Sequence, residues 1–236
     1  MFFRSKQLEE SHFWRAEIDL YERWFMGSNH LHGEPPPNLD HSNLASMGRT
    51  RLRVEAVKAW FESHQKRKYL LDLGLDSDAF NGCRLLDIGC GPFLSALSFE
   101  GCDVFGLDPL IAEYIQSGFP LHIYEPRGCF ISGNSEDIPL ESGAVDAVIS
   151  VNAIDHVDDF ERTAKEIKRV LIPGGKIRMH VHYHKPYKAE PIEITDKRFC
   201  DAFSWAGSLI KINESNEKTG HKLTNKDEKF VVWSNF

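Results

Sequence analysis

Two glycines, Gly89 and Gly91, close the run Arg84-Leu85-Leu86-Asp87-Ile88, and an acid, Asp108, ends the next apolar run, Val104-Phe105-Gly106-Leu107. Glycine has no Cβ, so a ligand can lie directly on the backbone there. The amides that open a following helix would face whatever sits above the turn. An acid at the tip of the neighbouring strand can accept hydrogen bonds from both hydroxyls of a ribose. Together these features ask for a nucleoside-bearing ligand. A second group of chemically capable residues lies further on. His180, His182 and His184 alternate, so on a strand their side chains share one face. Imidazole titrates near neutral pH, which suits a base. Three readings stand: a base or orienting group, a metal site completed by Glu190 or Glu193, and polar strand residues bonded to loops.

These residues need a scaffold, and the apolar pattern supplies one. Short apolar runs at 83–88, 103–108, 130–132, 144–151 and 176–183 read as strands. Between them helices are expected at 93–100, at 109–117 with Pro109 in the first turn, and at 158–171, where Asp158 and Asp159 suit a helix N-terminus. Such alternation implies a parallel sheet with helices on both faces, which binds ligands at the carboxyl ends of its strands. In the tail, 199–205 reads as a helix, 208–213 and 229–233 as strands, and 214–228 as a polar hairpin-like linker. Ahead of the alternation, residues 8–26 carry an aromatic stripe at helical spacing, with Trp14, Tyr21 and Trp24 on it. It reads as core first, and as a lid over the substrate second. Residues 27–43, with Gly33 and Pro35-Pro36-Pro37, read as a loop or linker. A second helix is expected over 50–69, with Lys66-Arg67-Lys68 at its C-terminal end, where the dipole favours cations.

The glycine turn lacks the third glycine of a dinucleotide fingerprint, since Leu94 stands in that position. Leu85-Leu86-Asp87-Ile88-Gly89-Cys90-Gly91-Pro92 instead resembles the first motif of the class I S-adenosylmethionine-dependent methyltransferases. The likeness continues in order through Gly106-Leu107-Asp108-Pro109, Gly133 to Leu140, Val145 to Asn152, and Arg169 to Gly175. It covers roughly residues 83 to 183, and the tail only loosely. The resemblance implies an α/β fold: a doubly wound, mostly parallel, seven-stranded Rossmann-like sheet with a reversed last strand. Here an N-terminal helical cap or lid over 1–75 would precede the methyltransferase domain over 76–236.

The resemblance also implies a site. Asp87 would help hold the amino acid end of S-adenosylmethionine, and Gly89 and Gly91 would let the backbone close on it, with Ile88, Cys90 and Pro109 alongside. Asp108 would take the ribose hydroxyls. Asn134 stands where many relatives carry Asp; its amide oxygen would accept from the adenine amino group. The amide of Ser135 would reach the adjacent ring nitrogen, and Glu136 or Asp137 would serve if Asn134 points away. Asn152 would face the methionine end, and His156 would lie close by. Phe93 occupies the place of a small residue. Arg49, Arg51 and Arg53 are candidates for the cofactor carboxylate. The sulfonium already carries an activated methyl group, so the protein mainly aligns the acceptor, worth roughly 7–11 kcal/mol. A base helps an oxygen or nitrogen acceptor lose its proton. His184 and His182 are assigned that acceptor contact, and no metal is assigned.

Composition narrows the partners. A net charge of −7 disfavours nucleic acid and fits a small-molecule acceptor. The five cysteines are odd in number and none has zinc-ligand spacing, as expected of reduced thiols in a cytoplasmic protein. No apolar run reaches the ~20 residues of a membrane span, and Met1-Phe2-Phe3-Arg4 lacks a signal-peptide core. The expected protein is a monomeric or homodimeric methyltransferase acting on an oxygen or nitrogen of a small molecule. The alternative is a non-catalytic relative that binds cofactor or steadies a partner.

Overall fold

A computed structural model describes residues 2–28, 48–187 and 192–236, with side chains from residue 9 onward. Most of the linker expected at 27–43 lies outside the described residues. Five parallel strands form the centre: β1 (Arg84–Ile88), β2 (Asp103–Asp108), β3 (Gly128–Ser132), β4 (Val145–Val151) and β5 (Leu171–Tyr183). β6 (Ile210–Ser215) and β9 (Lys229–Ser234) complete a seven-stranded sheet of order β3-β2-β1-β4-β5-β9-β6. β9 runs antiparallel to both β5 and β6, so the last strand is the reversed one. The expected linker holds a small hairpin, β7 (Glu217–Lys218) and β8 (His221–Lys222).

The two-residue repeat of the strands divides the core. Leu85, Val104, Ala147 and Ile149 face one side, while Leu86, Leu107, Val148 and Ile177 face the other. The second side is covered by α5 (Phe160–Val170) and α6 (Asp196–Ala202), with Phe160, Ile167, Phe199 and Phe203 inward. Asp159 caps α5 by accepting from the Arg162 amide at 2.9 Å.

The first side differs from expectation. No α-helix forms over 93–100; the chain makes only a 3-10 turn at Ser95–Ser98. Leu94 is left-handed, with φ 45°, which blocks α-helix propagation through that point. The N-terminal region fills the space instead. The expected second helix begins as α2 (Arg49–Trp60), passes through a π turn at Phe61–Gln65 and continues as α3 (Lys66–Leu73). It stops at Gly74, whose φ of 61° is a left-handed cap. Lys66-Arg67-Lys68 therefore opens α3 rather than ending the helix, and the dipole argument for it does not hold. α3 packs on the 3-10 turn, and Ser95 Oγ donates to Gln65 Oε1 at 3.1 Å.

α1 (Phe2–Phe25) lies against α2 and α4 (Ile111–Ser117). Tyr21 stacks on Trp60 at 4.7 Å, and Trp24 is fully buried. The aromatic stripe is core, in one cluster with the sheet face. Arg53 locks the arrangement, bonding to Glu22 and Asp19 of α1 and to the Ser117 carbonyl of α4. Trp24→Ala is expected to cost about 3–5 kcal/mol in urea unfolding. Phe13→Ala, 54% exposed one face away, should change stability by less than about 0.5 kcal/mol.

Candidate functional site

The carboxyl ends of β1, β2 and β4 converge on the glycine turn. Gly89 has φ +71°, and a Cβ there would stand 2.2 Å from the Ala153 Cβ, so only glycine fits. Gly91, at φ +60°, faces the ring of Trp14 from α1. Phe93 turns into the cap, against Trp14, Tyr21 and Phe119.

Asp108 ends β2 and ties the turn together. Its Oδ2 accepts from the Gly91 amide at 3.0 Å, and its Oδ1 accepts from the Leu110 amide at 2.9 Å and Tyr114 Oη at 3.1 Å. Burial, reinforced by the charge of Glu10, pushes Asp108 up to about 6 despite these donors. Asp87 is fully buried at the end of β1. Tyr69 of α3 is its donor, at 3.5 Å to Oδ1, while Oδ2 has no partner. Burial holds Asp87 well above the usual carboxylate range, and Asp108 adds to the shift. Among the described residues no lysine or arginine pairs with either acid. Arg53 is committed to α1, Arg49 pairs with Asp19, and Arg51 is exposed.

Asn152, just past β4, is left-handed at φ 53°, and its buried Oδ1 has no donor. Asn134 is exposed beyond β3. Ser135 Oγ lies 3.1 Å from Thr163 Oγ1, and Glu136 accepts from the Asp158 and Asp159 amides at 2.7 and 3.2 Å. The Glu136 carboxylate is thus spent on the entry to α5. Cys90 is buried with its Sγ beside Gly106, and Pro109 stands in the turn before α4.

At the ends of β4 and β5 a second group forms. Asp155 is fully buried, with His156 Nε2 at 3.5 Å and His184 Nε2 at 3.8 Å from its Oδ2. His184 Nδ1 lies 2.9 Å from the Lys185 carbonyl, which only accepts, so Nδ1 carries the proton. His182 and His184 rings lie 4.8 Å apart, and His182 Nε2 stands 3.4 Å from Glu228 Oε2. His180 does not join them. It stacks on Phe230 at 5.1 Å, and burial pushes it down to about 4. Glu193 pairs with Lys185 at 2.5 Å, and Glu190 lies outside the described residues.

Residues 86–179 match the family model of a methyltransferase domain. This stretch is similar to a methyltransferase domain, and the sheet around it agrees with the fold that the class I motifs imply. It is 35% identical over 102 residues to a sterol 24-C-methyltransferase of Gibberella zeae, covering 40% of this chain and 26% of that protein. It is 28% identical over 106 residues to ajmaline N-methyltransferase of Rauvolfia serpentina, covering 43% and 36%. The chain thus spans well under half the length of these curated relatives. The fold matches the solved complex of the Haloferax volcanii Trm112 methyltransferase activator and a methyltransferase, with TM-score 0.55, 20% identity, and 76% of this chain and 93% of that one covered.

The motif resemblance implies S-adenosylmethionine as the cofactor of this domain. Its amino acid end carries an ammonium, and the methyltransferase domain offers matching acceptors: two buried oxygens without donors, on Asp87 and Asn152, beside a crevice holding two uncompensated acids. Tyr69, Tyr114 and Asp155 were not visible as site residues in the chain. Tyr69 arrives from a helix the family motifs do not cover, and Asp155 carries no motif of its own. If Asp108 must be ionised to accept from the ribose, cofactor affinity should fall as pH drops through about 6. Below that value the fall should approach tenfold per pH unit, read by calorimetric titration from pH 5 to 8. A flat profile removes Asp108 from the binding step.

Proposed function

We propose that this protein transfers a methyl group from S-adenosylmethionine to an oxygen or nitrogen of a small molecule. The observation that carries the reading is the pair of buried acids without countercharge, Asp87 and Asp108, flanking the glycine turn. A cationic ligand relieves that imbalance only when it sits between them and the open end of the sheet. When bound, the cofactor supplies a sulfonium-activated methyl group.

The chain's own residues do the rest. Asp87 and the Asn152 amide oxygen receive the amino acid end, with the backbone of Ile88 to Gly91 beneath it. Asp108 receives the ribose. Asn134, Ser135 and the edge of the 133–137 loop take the adenine, with Pro109 and His156 alongside. His184, its Nδ1 proton fixed on the Lys185 carbonyl, keeps an Nε2 lone pair to receive a proton from the acceptor, and His182 stands beside it. α1 acts as a lid. Asp108 is only 4% exposed and Trp14 lies on Gly91, so ligand entry requires α1 to move.

The same closure supports a second reading, a non-catalytic domain that kept the fold. Calorimetric binding of S-adenosylmethionine, followed by methyl release over a panel of metabolites, separates the two. Binding with turnover on one acceptor supports the first. Binding with none supports the second, and absence of binding removes both.

Asp108→Ala should weaken cofactor binding by about 2–4 kcal/mol, the loss of one or two charge-assisted hydrogen bonds. An unchanged Kd would place the ribose elsewhere. His184→Ala should lower kcat with cofactor Kd unchanged; equal turnover would make that imidazole a structural group.

A further inference from the structure

We infer that Asp155, His182 and His184 form a binding site for one first-row divalent metal ion of the zinc type. The three residues come from two places in the chain, Asp155 from the turn after β4 and both histidines from the end of β5, yet each offers a ligand atom within 4.8 Å of the others. Zinc holds such atoms about 2.0–2.2 Å away, which puts them roughly 3–3.5 Å from one another. The 3.8 Å between Asp155 Oδ2 and His184 Nε2 closes to that range with a small rotation of the imidazole.

Three observations favour a cation over a simple packed cluster. The Asp155 carboxylate is wholly buried, and neither oxygen accepts a hydrogen bond. An ionised carboxylate so placed is costly unless a cation meets it. His184 donates Nδ1–H to a backbone carbonyl, the outer bond that fixes a metal-binding imidazole with its Nε2 lone pair forward. That lone pair is directed toward the carboxylate, an arrangement that a shared cation would stabilise. Finally, two imidazoles and one carboxylate are the borderline donor set that first-row divalent ions prefer. Glu228, 3.4 Å from His182 Nε2, stands nearest as an additional oxygen. Among the described residues the carboxylate is Asp155 rather than Glu193, and Glu190 lies outside them.

The affinity rests on the geometry of these residues alone. Its use toward an acceptor rests on the methyl-transfer reading. There a coordinated hydroxyl would give its proton to solvent at a lower pH than the free group, and His184 would act as a ligand in place of a base.

The experiment takes the full chain, stripped with a chelator, and titrates Zn²⁺ by calorimetry, with a Cys129→Ser background to remove the exposed thiol. One equivalent is expected. His182→Gln and His184→Ala should each weaken binding by more than the roughly 10–100-fold that loss of an outer-shell partner costs. Circular dichroism verifies that each variant folds. If either variant unfolds, zinc X-ray absorption on the parent chain decides: nitrogen and oxygen neighbours, with imidazole scattering and no sulfur, are expected. Stoichiometric binding unchanged in the folded variants, sulfur in the first shell, or no binding at all would overturn the site. None of these outcomes depends on methyl transfer, so failure here leaves the cofactor assignment standing.

Discussion

The carboxylate of Asp108 is the point through which the glycine turn and the strand ends beside it are held in shape. It takes the amide of Gly91 from the turn after β1, the amide of Leu110 from the entry to α4, and the hydroxyl of Tyr114 one turn further on. Three donors on one buried acid fix the distance between two neighbouring strand ends and aim the glycine turn. They do not neutralise the acid, which burial still holds near 6. Asp87 sits in the same crevice with one weak donor and one oxygen without any. The fold therefore keeps two acids of raised proton affinity at the place where a sulfonium nucleoside is proposed to rest. Burying such groups without a countercharge works against stability, which is a common condition of sites that bind a counterion later.

The 3-10 turn that stands between β1 and β2 shapes that side of the sheet. With no α-helix after the glycine turn, the helix face that would normally cover β1 is supplied by α3, and the aromatic side chains of α1 and α2 complete the same core. Tyr69 reaches Asp87 because α3 lies where the missing helix would have been. The N-terminal region is thereby both wall and roof. Trp14 closes on Gly91, and Arg53 binds the roof to α4 through Ser117.

The two ends of the site have opposite character. Around Asp87 and Asp108 the crevice is acidic and lacks countercharge. Around Asp155 it is an imidazole cluster in which one acid faces several nitrogens. His180, His182 and His184 share a face of β5, and Phe230 packs on both His180 and His182. Only His182 and His184, nearer the carboxyl end of the strand, come close to Asp155.

The chain by itself determined the sheet and its reversed last strand, and it marked the glycine turn and the acid at the neighbouring strand tip. Each of those is written in local patterns: two-residue apolar alternation, glycines at a turn, and an acid at a strand tip. Such signals survive because backbone geometry imposes them whatever else surrounds them. Tertiary structure alone decided what covers the site and what stands opposite the histidines. The helix expected at 93–100 was lost at a left-handed Leu94, and a distant helix took its place. Asp155 became the partner of His184 because two strand ends meet in space, and no spacing in the chain records that meeting. Local rules fix the direction of a side chain; only packing fixes its neighbour.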